Sequence, residues 1–173
     1  MRNKVIWLLI ASFALQACSH RLDEKHTLTS IQITDKNGLK QTISHEERLR
    51  GFEQIDFHDP QPYEKVVRSY IDPISKRDYA KITTYHPNGQ IHQSLDVVGG
   101  RACGFYHEWY SGGSKKVEVT VIEGPADLSP ASQMNWIFDG LCKAYDKEGR
   151  VTAEIYYDQG LLTGNSLYFY PNG

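Results

Sequence analysis

Tyr85-His86-Pro87-Asn88-Gly89 decides the fold. An aromatic residue, a Pro-Asn step and a glycine predict a tight hairpin turn, because Asn and Gly accept the positive φ such a turn needs. The motif recurs as Tyr170-Pro171-Asn172-Gly173, and the four turn glycines Gly89, Gly113, Gly149 and Gly173 fall 24, 36 and 24 residues apart. A period of this size marks a repeat array, in which each unit buries its apolar face by stacking on its neighbours. An extended interaction surface follows more naturally from that arrangement than a catalytic pocket.

Taking Ala80, Gly104, Gly140 and Gly164 as unit starts, the units align without gaps apart from one insertion of 12 residues. One column holds Tyr85, Trp109, Tyr145 and Phe169; another holds Leu95, Val119 and Ile155; a third holds Val97, Val121 and Tyr157. The intervening columns are polar, with His92, Lys116 and Thr152, then Ser94, Glu118 and Glu154. Alternation with a period of two puts successive side chains on opposite sheet faces, so each unit is expected to be a hairpin with one buried and one wet face. The aromatic column and the Leu95, Val119, Ile155 column together form the expected repeat core. The fold class is therefore mainly β, an array of antiparallel hairpins over 80–173 preceded by a small α+β segment over 28–79.

The pattern of Gly, four residues, an aromatic, Tyr or His, Pro-Asn-Gly, then a strand with Glu at its centre resembles the bacterial variant of the MORN repeat. The resemblance covers residues 80–173 and implies an elongated sheet of consecutive hairpins. Ala80 stands where the family has Gly, and Ser111-Gly112-Gly113 replaces the Pro-Asn-Gly turn. Repeats of this kind also occur in antitoxins of toxin–antitoxin systems, which makes an antitoxin-like binder an alternative reading.

The other strong signal is at the N-terminus. Arg2 and Lys4 precede an apolar run from Val5 to Leu15 that ends in Leu15-Gln16-Ala17-Cys18, the layout of a secretory signal peptide over residues 1–17. Leu-x-Ala-Cys resembles the lipobox of bacterial lipoproteins, and that resemblance implies cleavage before Cys18 and acylation of its thiol and new amine with fatty chains such as palmitate. Three chains anchor firmly, at about 0.8 kcal/mol per buried methylene. Ser19, not Asp, follows the cysteine, which by Gram-negative sorting implies the outer membrane. Residues 18–27 are expected to be a lipidated tether.

Removing residues 1–17 leaves 17 basic against 21 acidic residues, a balance that gives no footprint for nucleic acid. In the segment 28–79, Ser30 to Thr34 and Leu39 to Ile43 alternate around the turn Asp35-Lys36-Asn37-Gly38, predicting a hairpin. Ser44 and Glu47 make a capping box that predicts a short helix through about Glu53, and strands are expected at Tyr63 to Tyr70 and from Tyr79 onward. The inserted loop Pro125–Asp139 carries Met134, Trp136, Ile137 and Phe138. Trp136 and Phe138 are expected either to cover the open apolar face or to meet a partner.

Chemistry finds no foothold in the motifs. The seven histidines show no metal-ligand spacing, and no nucleophile elbow, P-loop or dinucleotide fingerprint occurs, so no catalytic residue, cofactor or metal is expected. Glu118 and Glu154 share a repeat column, which puts them in like environments, whereas a glycan-cleaving acid pair needs unlike ones. Cys103 and Cys142 occupy unmatched columns about 10 Å apart across an intervening strand, too far for a disulfide in a regular sheet, which leaves a bond between them open only where the insertion distorts that spacing. The last strand ends at the turn glycine and is expected to be an edge, continued by further repeats or met by a partner. The expected function is a non-catalytic envelope lipoprotein whose repeats act as a scaffold for another protein of the envelope, with an antitoxin-like binder or a cell-wall glycan hydrolase as alternatives.

Overall fold

The computed structural model describes residues 26–170. The expected signal peptide, Cys18, nearly all of the tether and the final Pro171-Asn172-Gly173 lie outside the described residues. Among those described, ten strands form one antiparallel sheet: β1 (Thr27–Asp35), β2 (Lys40–Ile43), β3 (Tyr63–Ile71), β4 (Asp78–Tyr85), β5 (Ile91–Val98), β6 (Arg101–Trp109), β7 (Lys115–Glu123), β8 (Ile137–Tyr145), β9 (Val151–Asp158) and β10 (Leu161–Tyr168). The order is β10-β9-β8-β7-β6-β5-β4-β3-β1-β2, so from β3 onward every strand pairs with its sequence neighbour. The expected mainly β array of consecutive hairpins is what the chain forms.

The turns at one end of the sheet share a geometry. His86, Tyr110 and Asp146 each donate a backbone N–H to the carbonyl four residues on and accept one from the turn glycine, and Asp35 does the same with Leu39 and Gly38. The turn glycines lie at φ of +90°, +90° and +82° at Gly89, Gly113 and Gly149. Asn88 is not left-handed, contrary to the expectation for the Asn-Gly step. Its side chain instead accepts from Gln90 N–H and donates to the Ser111 carbonyl of the next turn at 2.8 Å. Tyr110 Oη donates to Tyr145 O and Ser114 Oγ to Lys147 O, both at 2.9 Å, so the turns are laced one to the next.

Directly after these turns the register slips by one residue in three successive hairpins: between Thr84 and Tyr85, Glu108 and Trp109, and Ala144 and Tyr145. The extra residues are His92, Lys116 and Thr152, which share one repeat column. A bulge of one residue reverses the side to which the following side chains point. The repeat core is therefore split between the two faces of the sheet. Leu95 and Val119 pack with Ile82, Val97, Tyr106 and Val121 on an aliphatic face, whereas Tyr85 packs with Ile31, Ile33, Val66 and Ile91 on the opposite, aromatic face, with Trp109 against them.

Each face has its own cover. Segment 44–62, which joins β2 to β3, crosses the aromatic face at its N-terminal end and buries Leu49 and Phe57 there. It holds helix α1 (Glu46–Arg50), whose N-cap is His45 without a side-chain cap bond; the capping box expected of Ser44 and Glu47 is displaced by one residue and does not form. The connection from β7 to β8 crosses the aliphatic face with a single turn of helix, α2 (Pro130–Gln133), capped by Ser129. This strap is shorter than the expected insertion at its far end, because Ile137 pairs with Glu123 and Phe138 with Val121, extending β8.

Candidate functional site

Trp136 and Phe138 take the covering role. Trp136 is 7% exposed, stands edge-on to the Tyr106 ring at 5.0 Å and donates its indole N–H to Pro125 O at 2.9 Å. Phe138 packs against the same cluster, 6.5 Å from Trp136 and 5.4 Å from Tyr157. Beyond the strap's far side, Lys65 Nζ reaches Asp127 at 3.2 Å, tying the loop to β3. Serine hydroxyl and backbone N–H bonds at Ser129, followed by that lysine, hold the Asp127 carboxyl far below the usual range.

Beneath the strap lies a polar knot. Glu108, 16% exposed at its side chain, accepts from Lys116 Nζ at 2.7 Å and Tyr106 Oη at 3.2 Å, and lies 3.8 Å from the His92 ring. The His92 contact and the Lys116 ammonium overcome burial and hold this carboxyl at about 2. Burial first, then Glu108, pushes the Tyr106 hydroxyl well above its ordinary value.

The aromatic face is covered only at its N-terminal end, and there the expected wet side departs from the sequence pattern. Thr83, Ser94 and Asp96 are buried. Long cationic side chains lie over them: Lys81 Nζ is 3.1 Å from Asp96, and Arg68 Nη2 donates to Thr83 at 3.4 Å.

From β6 to β10 this face is open. Register carries one row across it from buried Ser94 on β5: His107, Glu118, Lys143, Glu154 and Leu167. Along β6 the rings of Phe105, His107 and Trp109 stand 6.0 and 5.6 Å apart, as residues two apart on one face must. Tyr145 from β8, Tyr156 from β9 and Phe169 complete an aromatic field, in which Phe105, Tyr156 and Phe169 are each exposed by more than two fifths. The expected aromatic column thus lies on one face, grading from buried Tyr85 to exposed Phe169.

The charges in this field arrive already paired. Lys115 Nζ sits 2.7 Å from Glu118 and Lys143 Nζ 3.4 Å from Glu154, while Tyr145 Oη donates to the second oxygen of Glu118. Burial would raise Glu118, but the bonds from Lys115 and Tyr145 outweigh it and keep the carboxyl low. Burial, followed by Glu118, pushes Tyr145 up to about 12. Burial and then Lys115 keep the His107 imidazole low, hence neutral near pH 7. Glu118 and Glu154 lie two strands apart with Lys143 between them, and both are tied to a lysine. Such a field can offer ring faces and fixed donors and acceptors without a net charge.

Leu95 and Val119 are buried and Ile155 half-buried against Cys142. Cys142 is a free thiol whose acidity burial lowers, so it is not joined to Cys103. Phe105 and Tyr156 carry much of the open field, although the repeat columns singled out neither of them. The signal available was their aromaticity. Among the described residues no three His, Cys, Asp or Glu side chains are placed to hold a metal ion, and no helix is long and apolar enough to cross a membrane. Comparison of the chain with protein-family models, curated proteins and solved structures found no match. What is shown is the architecture: a single antiparallel sheet of consecutive hairpins with a short helix near its N-terminal end.

Proposed function

We propose that this chain is a non-catalytic interaction scaffold of the bacterial envelope, built from MORN-like hairpin repeats and held at the outer membrane through acylated Cys18. The observation that carries the scaffold reading is the open end of the aromatic face. There, exposed Phe105, Tyr156 and Phe169 flank charges that are already neutralised in pairs. Aromatic rings supply large contact area at low entropic cost, and pre-paired charges need no new counter-ion when a partner excludes water. The anchoring half of the reading rests on the Leu15-Gln16-Ala17-Cys18 box and the charged, apolar run before it.

Two experiments separate the halves. Feeding cells a labelled fatty acid and fractionating the envelope tests the anchor: label in the outer-membrane fraction that disappears in Cys18→Ala supports it, and an unlabelled soluble protein refutes it. For the scaffold, a partner recovered by the native chain and lost on Phe105→Ala with Tyr156→Ala supports it. Recovery unaffected by that pair refutes the assigned surface.

A further inference from the structure

The covered end of the aromatic face carries a cavity of about 460 Å³, half open to solvent, between β1, β3 and segment 44–62. Its size falls in the range of small-molecule sites, roughly 300–1,000 Å³. Leu28, Phe52, Ile55 and Phe57 form an apolar wall, and Arg68 and Tyr70 come from β3 on the other side. The Arg68 guanidinium lies 4.3 Å over the Phe57 ring. No carboxylate lies within ion-pairing distance of it among the described residues. Among the described residues its one hydrogen bond is the long one to Thr83, and its Nε–H is buried with no acceptor.

His26, also lining the cavity, has a buried Nδ1 that is likewise without a partner while its ring lies tilted against Tyr79 at 4.4 Å. Among the described residues, two of the three buried side-chain atoms lacking a hydrogen bond thus belong to residues lining one cavity. The third, on Asp96, is at least ion-paired with Lys81.

A purely structural Arg68 would explain the stack on Phe57, which pins the segment to the sheet. It does not explain an Nε–H buried without an acceptor at the wall of a cavity, since leaving a buried donor unmade is costly and Asp56, which feels the Arg68 charge, is not within ion-pairing distance of it.

We propose that this cavity binds a small monocarboxylate with an apolar body, the carboxylate taken by Arg68 and the body by Phe52, Ile55 and Phe57. The planar guanidinium matches a carboxylate with two parallel N–H bonds. Because Nε is sealed in the present conformation, binding turns the guanidinium away from its weak contact with Thr83 to offer the Nε edge. Glu53 at the cavity wall disfavours a second negative charge, so dicarboxylates bind worse than monocarboxylates.

The test uses the full chain, titrated with 3-phenylpropanoate and hexanoate, with the neutral 3-phenylpropanamide as control, and followed by amide NMR shifts and calorimetry. At least one carboxylate binds saturably, shifting Phe57 and Tyr70. The amide binds weaker by about tenfold or more, the loss expected for a charge-assisted bond. Arg68→Gln removes carboxylate binding. Because the amide control is run on the native chain, a variant that failed to fold would leave the comparison intact. Absence of saturable binding by both carboxylates, equal binding of the amide, or shifts confined elsewhere would overturn the proposal.

Discussion

The Tyr85 hydroxyl donates to the Phe57 carbonyl at 2.9 Å, fastening segment 44–62 to the first residue of the aromatic column. Burial pushes this hydroxyl far above its ordinary pKa, so it stays a donor at every physiological pH. Tyr85→Phe removes the donor and leaves a carbonyl without its partner, a loss of about 1–2 kcal/mol in urea unfolding. At the other end of the column Phe169→Ala, half in water, changes stability by about 0.5 kcal/mol or less. Equal effects at the two sites would contradict the gradient of burial along the column.

Gly89 and Gly113 occupy one repeat column at the same φ of +90° but differ in surroundings. A Cβ on Gly89 meets the Gln61 carbonyl oxygen at 2.9 Å, whereas at Gly113 the nearest atom, a glutamine side-chain oxygen, is 3.7 Å away. Gly113→Ala therefore costs only left-handed backbone strain, about 1–2 kcal/mol. Gly89→Ala costs more, because Gln61 must also move and its N–H bond to Gly89 O is strained. Thermal denaturation of the two variants side by side gives the order.

Glu108 sets an acid limit. Its carboxyl titrates at about 2 when folded against 4.5 as an ordinary glutamate. A depressed folded pKa means the stabilisation is complete above about pH 4.5 and is lost as pH falls toward 2, an amount of about 3 kcal/mol. Glu108→Gln should flatten the stability profile in that window and lower stability at neutral pH. A profile unchanged by the substitution would show that the knot beneath the strap is not formed.

The strap depends on its aromatic anchor and little on its ion pair. Trp136→Ala should cost about 3–5 kcal/mol, the range for emptying a buried aromatic site. Asp127→Asn, whose pair with Lys65 is partly in water, should cost less than about 1 kcal/mol. Denaturant midpoints of both variants check the ranking.

How much of this was legible in the sequence depends on which physical rule was local. The hairpins, their turns and their order follow from glycine spacing and short-range alternation, and the strands beginning near Ser30, Tyr63 and Tyr79 lie where the pattern put them. The split of the repeat core was not legible. A bulge at His92, Lys116 or Thr152 leaves the residue types of a column unchanged while reversing the face that they reach, so Tyr85 and Leu95 looked alike and packed apart. Ala80 fits the same logic: Gly104, Gly140 and Gly164 take positive φ within their strands, while the pairing around Ala80 is regular and needs no glycine. The cavity beside Arg68 was invisible because residues 26, 52–57 and 68–70 meet only through the crossover from β2 to β3.

The central claim is that the open aromatic face, and not its reverse, meets a partner. Placing a photo-crosslinking phenylalanine at Tyr156, on that face, and separately at Leu162, whose register partner Tyr157 puts it on the other, tests this directly in cells. Leu162 is the more exposed of the two, at 68% against 43%. The account predicts a discrete adduct from position 156 and none from position 162; the same adducts from both positions, or from position 162 alone, would contradict it.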